Sequence, residues 1–317
     1  MDGWVSISLS WGLTFLTQTG AGILANCSLL CLYNVTLLNA HVLRPTELIL
    51  NQLILANNLV LFSKGIPQTA VAFGLKSFLS DAGCKFVFYL HRVARGVSLS
   101  TTCLLSGFQA IKLCPSFSGW LEHRVRSTVF IGFCCSICWI LHLLLNMVVT
   151  MNVTGPKNSK NTSVENIYRY CSSRIPERLV FCVSAVIYAS TDGVCLGLMV
   201  WTSGSMDLVL PRHKQRVQHI HRNRLSPRPA HEARATRTIL TLVSMFVSLH
   251  SLAGILSFWM TQLENPHPWL MNTSVLVSFG FPTFSPFVFL FSDTSISEFC
   301  FVCWTKNTNA PSMVSGP

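Results

Sequence analysis

The chain has 317 residues, of which 50% are hydrophobic and only 11% charged, and its mean hydropathy is +0.47. Soluble domains carry about 25% charged residues, so a water-facing globule of this size is excluded and a polytopic membrane protein is the first reading. The net charge of +11 could suit nucleic acid, but the basic residues gather in connections between apolar runs, where they fit loops beside an anionic leaflet and no nucleic-acid partner is expected.

A membrane helix needs about 20 mostly apolar residues, and seven stretches meet that length: 8–34, 48–73, 83–110, 128–150, 179–204, 236–261 and 270–292. The expected fold is an all-α seven-transmembrane helix bundle over 1–292, followed by a short cytoplasmic tail at 293–317. The first stretch follows Asp2 in place of a basic segment and is too long for a signal-peptide core, so it reads as a span and not as a cleaved leader.

The second span ends in "FSKGIPQT", where Gly65 and Pro67 predict a kink at the pocket mouth and Lys64 is expected to snorkel outward. The third span contains "YLHRVARGVS", with His91, Arg92 and Arg95 in an apolar run. A cation near the bilayer centre costs about 2.5–3.5 kcal/mol even on the insertion scale. At about 1.5 Å per residue, Arg92 and Arg95 lie roughly 12 and 17 Å below Cys84, and their spacing lets them share a face with His91. That face should point into the bundle.

Cys135 and Cys138 in the fourth span form a CxxC, but no second pair or histidine completes a zinc site, so no metal is expected. Most of the 13 cysteines fall inside apolar stretches, where they read as small buried hydrophobes. The fifth span carries Asp192 in "YASTDGVCLG", the clearest buried acid available to the cations of the third span. Two readings follow: an ion pair between the third and fifth spans, or cations that meet an anionic or hydrogen-bond-accepting ligand.

The 205–235 connection holds Arg212, Lys214, Arg216, Arg222, Arg224 and Arg228, with Arg234 and Arg237 opening the sixth span. The positive-inside rule places this loop in the cytoplasm and the N-terminus outside, with the C-terminus inside. Sequons at Asn152, Asn161 and Asn272 then fall in outward connections, Asn161 being the best glycan acceptor. Cys84 and Cys171 face the same oxidising side, so a disulfide between them is expected. Pro282 and Pro286 predict irregularity in the seventh span, which lacks a lysine for a retinal Schiff base.

Seven spans with this cysteine disposition look like a G-protein-coupled receptor. "LILANNLVLFSKGIPQT" (53–69) and "FYLHRVARGVSLSTTCLLSGFQAI" (88–111) resemble the vomeronasal type 1 receptors, a family of pheromone receptors. "HKQRVQHIHR" (213–222) and "EARATRTILTLVS" (232–244) are similar to that family's third inner loop and sixth helix. The acidic-Arg-Tyr triplet of the common receptor family is absent, "GFQAIKL" standing in its place, and helix seven reads "SPFVFLF" without Asn-Pro-x-x-Tyr. Vomeronasal type 1 receptors lack both.

The resemblance implies a multi-pass plasma-membrane chemosensory receptor. Its partners would be a small pheromone-like ligand, membrane lipid and a heterotrimeric G protein of inhibitory type, which would dock on Arg216, Arg222, Arg234 and Arg237. No cofactor is implied, and no catalytic constellation such as HExxH or a phosphate-binding glycine loop is present in the sequence. A bitter-taste-like chemoreceptor is the rival reading. A transporter is a more distant one, since the chain lacks the internal repeat expected there.

Overall fold

A computed structural model describes residues 2–40, 44–75, 78–113, 127–150, 153–154, 164–168, 171–174, 178–220, 228–263 and 267–292. The helices in chain order are α1 (Asp2–Ala40), α2 (Pro45–Val60), α3 (Ile66–Ala72), α4 (Asp81–Leu113), α5 (Thr128–Thr150), α6 (Arg178–Ile220), α7 (Arg228–Gln262) and α8 (Pro268–Ser292). A π turn, Leu61–Gly65, joins α2 to α3, so Pro45–Ala72 is one continuous helical rod. Among the described residues, seven rods therefore make the bundle. The tail at 293–317 lies outside the described residues.

Five rods are long and apolar enough to cross a membrane: Ser8–Val35, Pro45–Ala72, Thr128–Met147, Arg234–Met260 and Pro268–Phe291. The two others, α4 and α6, are long but carry Arg92, Arg95 and Asp192 with a run of hydroxyl side chains. α4 is the central element, packing against α2, α5, α6, α7 and the π turn. Large apolar side chains such as Leu9, Phe133, Ile140 and Phe258 stay exposed on the outside, as a lipid-facing surface requires.

The all-helical expectation needs one addition. The connection between α5 and α6 holds a small antiparallel sheet of β1 (Val153–Thr154), β2 (Val164–Tyr168) and β3 (Cys171–Arg174), in the order β1-β3-β2. Val153 pairs with Ser173 and Tyr168 with Cys171. A 1.99 Å bond joins Cys171 to Cys84 in the first turn of α4, so the sheet is tied to the central helix. Strand structure escaped the sequence reading because these pairings are short and lack a clean alternating apolar pattern.

Two backbone irregularities follow from proline chemistry. Pro67 has no N–H to return to the carbonyl of Ser63, and the chain responds by widening upstream, where the Ile66 N–H bonds to the Leu61 carbonyl, five residues back. In α8, Pro286 cannot donate to the carbonyl of Pro282. Asn26 of α1 supplies the missing donor, its Nδ2 lying 2.9 Å from that oxygen. An unsatisfied carbonyl in hydrocarbon would cost several kcal/mol, so Asn26, fully buried, repairs the helix that the prolines break.

The main core lies in the half of the bundle away from the disulfide, where Leu53, Leu99, Leu105, Met199, Leu242 and Phe289 interlock. A smaller cluster of Phe15, Leu61 and Phe279 fixes α1 against the π turn and α8. There Gly22 lets α1 approach closely. A Cβ at that position would stand 2.7 Å from Leu61 Cδ1 and 3.2 Å from the backbone Cα of Thr283. Backbone cannot yield as a side chain can, so Gly22→Ala is expected to destabilise the bundle by about 1–3 kcal/mol. Thermal unfolding of the purified receptor in nanodiscs measures this; an unchanged midpoint would show that α1 does not pack here.

Candidate functional site

Beside the inward face of α4 lies a cavity of about 370 Å³, within the range of small-molecule sites. α4 builds one wall. His91, Arg92, Arg95 and Ser98 recur at helical spacing, so one face of the central helix presents all four to the same space. The opposite wall, from α7 and α8, is largely apolar, with Phe246, Leu249, Val277, Phe281 and Pro282 interrupted by His250, Ser257 and Ser278. The site is amphiphilic by construction.

The charged wall is organised around Arg95. Its Nη2 donates to Asp192 Oδ2 of α6 at 3.2 Å, closing an ion pair between the third and fifth rods of the membrane bundle. The same nitrogen lies 3.2 Å from His250 Nε2 of α7. A guanidinium only donates and a carboxylate only accepts, so Nε2 accepts from Arg95 in one ring tautomer and donates to Asp192 in the other. The Nε2 to Asp192 distance is 3.5 Å. Three helices thus meet at one polar point. The Arg95 and Asp192 side chains are 54% and 30% exposed, so the roughly 3–5 kcal/mol lost on breaking a fully buried pair is an upper bound here.

Arg92 is held differently. Its Nε donates to Asn146 Oδ1 of α5 at 3.1 Å. The guanidinium carbon lies 4.2 Å from the Tyr188 ring centroid and 5.5 Å from that of Phe88. Tyr188 also donates its hydroxyl to Asn146 Oδ1, at 2.9 Å. His91 lines the same cavity, and its buried Nδ1 has no hydrogen-bond partner among the described residues.

Below this layer, Ser98 donates to Asn57 Oδ1 at 2.8 Å and Asn57 Nδ2 donates to Ser285 at 3.0 Å, joining α4, α2 and α8. At the α4–α5 contact, Gly96 leaves room for the His142 ring, which a Cβ would overlap. His142 Nε2 is 2.8 Å from Ser100 Oγ.

The central helix thus turns a cationic face inward, pairs with α6 through Arg95 and Asp192, and is tied by a disulfide to β3. Residues 9–302 match the profile of the vomeronasal organ pheromone receptor family. The chain belongs to that family. It is 56% identical to vomeronasal type-1 receptor 1 of Homo sapiens, over 96% of this chain and 86% of that protein. It is 46% identical to human vomeronasal type-1 receptor 4, over 92% of this chain and 96% of that one. Olfactory receptor class A-like protein 1 of Danio rerio is 29% identical over 90% of each chain. The protein is therefore a multi-pass membrane receptor of the chemosensory type.

In this vomeronasal receptor the residues singled out by sequence are distributed unevenly. His91, Arg92, Arg95 and Asp192 converge on the cavity, and Cys84 and Cys171 are bonded. Lys64 joins them from the π turn. Its side chain borders the cavity, with Nζ 5.7 Å from the Phe279 centroid, and also a small pocket beside the Cys84–Cys171 disulfide. Asn272 sits in the early turns of α8, half-buried, and not in a connection. Asn152, Asn161 and Arg222 lie outside the described residues. Arg216 belongs to α6, and Arg234 and Arg237 are exposed on α7 and do not line the cavity.

Sequence reading did not pick out His250, Asn146, Tyr188 or His142. His250 sits alone in an apolar helix, where a histidine is usually a core residue. Asn146 was the more legible of the four, a lone amide in "LLLNMVV", since polar groups in membrane helices are kept for a partner. His250 also stacks on Phe246, with centroids 5.3 Å apart, and Phe246 meets Phe281 edge-on at 4.5 Å. Substituting His250→Phe keeps this stack and removes the nitrogen beside Arg95 and Asp192. The expected loss is about 0.5–1.5 kcal/mol of stability, read as a lower thermal midpoint in nanodiscs. A variant as stable as the parent would show that α7 gains nothing from the polar contact.

Proposed function

We propose that this receptor binds a small pheromone-like organic molecule in the cavity between α4, α6, α7 and α8 and signals to a heterotrimeric G protein, of inhibitory type by family analogy. The observation that carries the reading is the cavity itself: an amphiphilic space of about 370 Å³, in a pheromone-receptor family chain, on the inward face of its central helix. No catalytic role is assigned to its side chains. They are suited to recognition and to holding the helices in register.

The receptor domain is 1–292, with 293–317 as a cytoplasmic tail, in the plasma membrane. The N-terminus and the small sheet lie outside, and the basic 205–235 segment lies inside, with Arg216, Arg222, Arg234 and Arg237 toward the G protein. The charge of that segment supports this orientation. A ligand touching α4, α6 and α7 at once is placed to bias the contact of Arg95 with Asp192 and His250, which supplies a physical route from occupancy to helix rearrangement.

Two measurements test the proposal. The expressed receptor, checked for surface delivery, is screened against small volatiles and steroid-like compounds with a panel of G-protein readouts. A response through an inhibitory-type G protein is expected, and silence with every G protein despite normal delivery would overturn the reading. For orientation, glycosidase treatment should shift the gel mobility of the parent but not of Asn161→Gln. Glycosylation engineered into the 205–235 segment instead would reverse the topology.

A further inference from the structure

We propose that Arg92 anchors an organic anion, and that the ligand of this cavity is an amphiphile with one anionic group on an apolar body. This rests on the cavity being the ligand site, and adds the chemical class of what occupies it.

The inference starts from charge. Among the described residues lining the cavity, Lys64, Arg92 and Arg95 carry fixed positive charge and Asp192 alone carries negative charge. Asp192 is committed to Arg95, with His250 beside both. Arg92 has no carboxylate within ion-pair distance among the described residues. Its contacts are to the neutral amide of Asn146 and to two aromatic rings. A cation this deep in the membrane section is normally paired, so an occupant that brings the missing negative charge is favoured over one that does not.

Geometry narrows the class further. Asn146 takes the Nε–H of Arg92, and the rings of Tyr188 and Phe88 lie close to its guanidinium. The terminal Nη groups remain to donate, as a planar fork that matches the two oxygens of a carboxylate or sulfonate. His91, the adjoining residue, adds a buried ring nitrogen without a partner among the described residues, on the same wall. Across the cavity, Phe246, Leu249, Val277 and Phe281 offer an apolar surface for the remainder of the molecule. The two arginines therefore differ in role: Arg95 ties helices together, and Arg92 selects the ligand.

The test uses the full-length receptor in nanodiscs and reads thermal stabilisation, which needs no G protein. Three probes of equal chain length are titrated: octanoate, 1-octanol and octylamine. Octanoate is expected to stabilise the parent at concentrations roughly ten- to a hundredfold below those needed for octanol, with octylamine without effect. Arg92→Gln should remove the octanoate advantage while leaving the octanol response in place, and Arg92→Lys should retain part of it. Equal potency of octanoate and octanol on the parent, or no stabilisation by octanoate at all, overturns the proposal even if a variant fails to fold. So does an Arg92→Gln variant that still prefers octanoate. Inorganic phosphate at the same concentrations should not reproduce the effect; if it does, a free inorganic anion and not an amphiphile is bound. A silent signalling screen alongside a clear octanoate preference would count against the receptor reading and leave the anion site standing.

Discussion

The arrangement of this bundle depends on the contact between Arg95 and Asp192, with His250 completing it. A charge inside a bilayer must be matched by another charge or reach water. α4 and α6 are the two rods whose composition falls short of a plain apolar span, and they are the two that supply this pair. Each makes the other tolerable in the membrane. With α4 placed at the centre by that requirement, its remaining polar side chains are forced inward, and the cavity is the space they border.

A second constraint acts on the backbone. Hydrocarbon offers no partner to a freed carbonyl or amide, so every break in a helix has to be repaired from within the protein. Asn26 repairs the carbonyl that Pro286 leaves behind, and the π turn at Leu61–Gly65 absorbs the loss caused by Pro67. These repairs also shape the site. Pro282 lines the cavity directly, and the π turn delivers Lys64 to it. Irregular backbone thus supplies Pro282 and Lys64 to the cavity, while the regular face of α4 supplies His91, Arg92 and Arg95.

Much of this was legible in the amino-acid sequence, for reasons that differ from residue to residue. The inward placement of His91, Arg92 and Arg95 follows from the cost of charge in lipid, and Asp192 stood out because acids in the spans are so scarce. Cys84 and Cys171 were readable from topology. The π turn around Lys64 was not legible, because proline and glycine signal an irregularity without saying which form it takes. The roles of His250, Asn146 and Tyr188 were not legible, because each is set by which helices become neighbours, and hydropathy carries no information on helix order. The small sheet was hidden for a similar reason: its strands are stabilised by a disulfide and by pairing with each other, not by an apolar pattern of their own.

The central claim is that the charges of α4 and α6 stabilise each other across the bundle, and a charge exchange tests it most directly. Arg95→Asp and Asp192→Arg are made singly and together, and cell-surface delivery and thermal midpoint are measured for all three. If the two side chains pair as described, each single change places like charges face to face and lowers both quantities, and the double exchange recovers a substantial part of the loss. A double variant no better than the sum of the two singles would contradict the pairing.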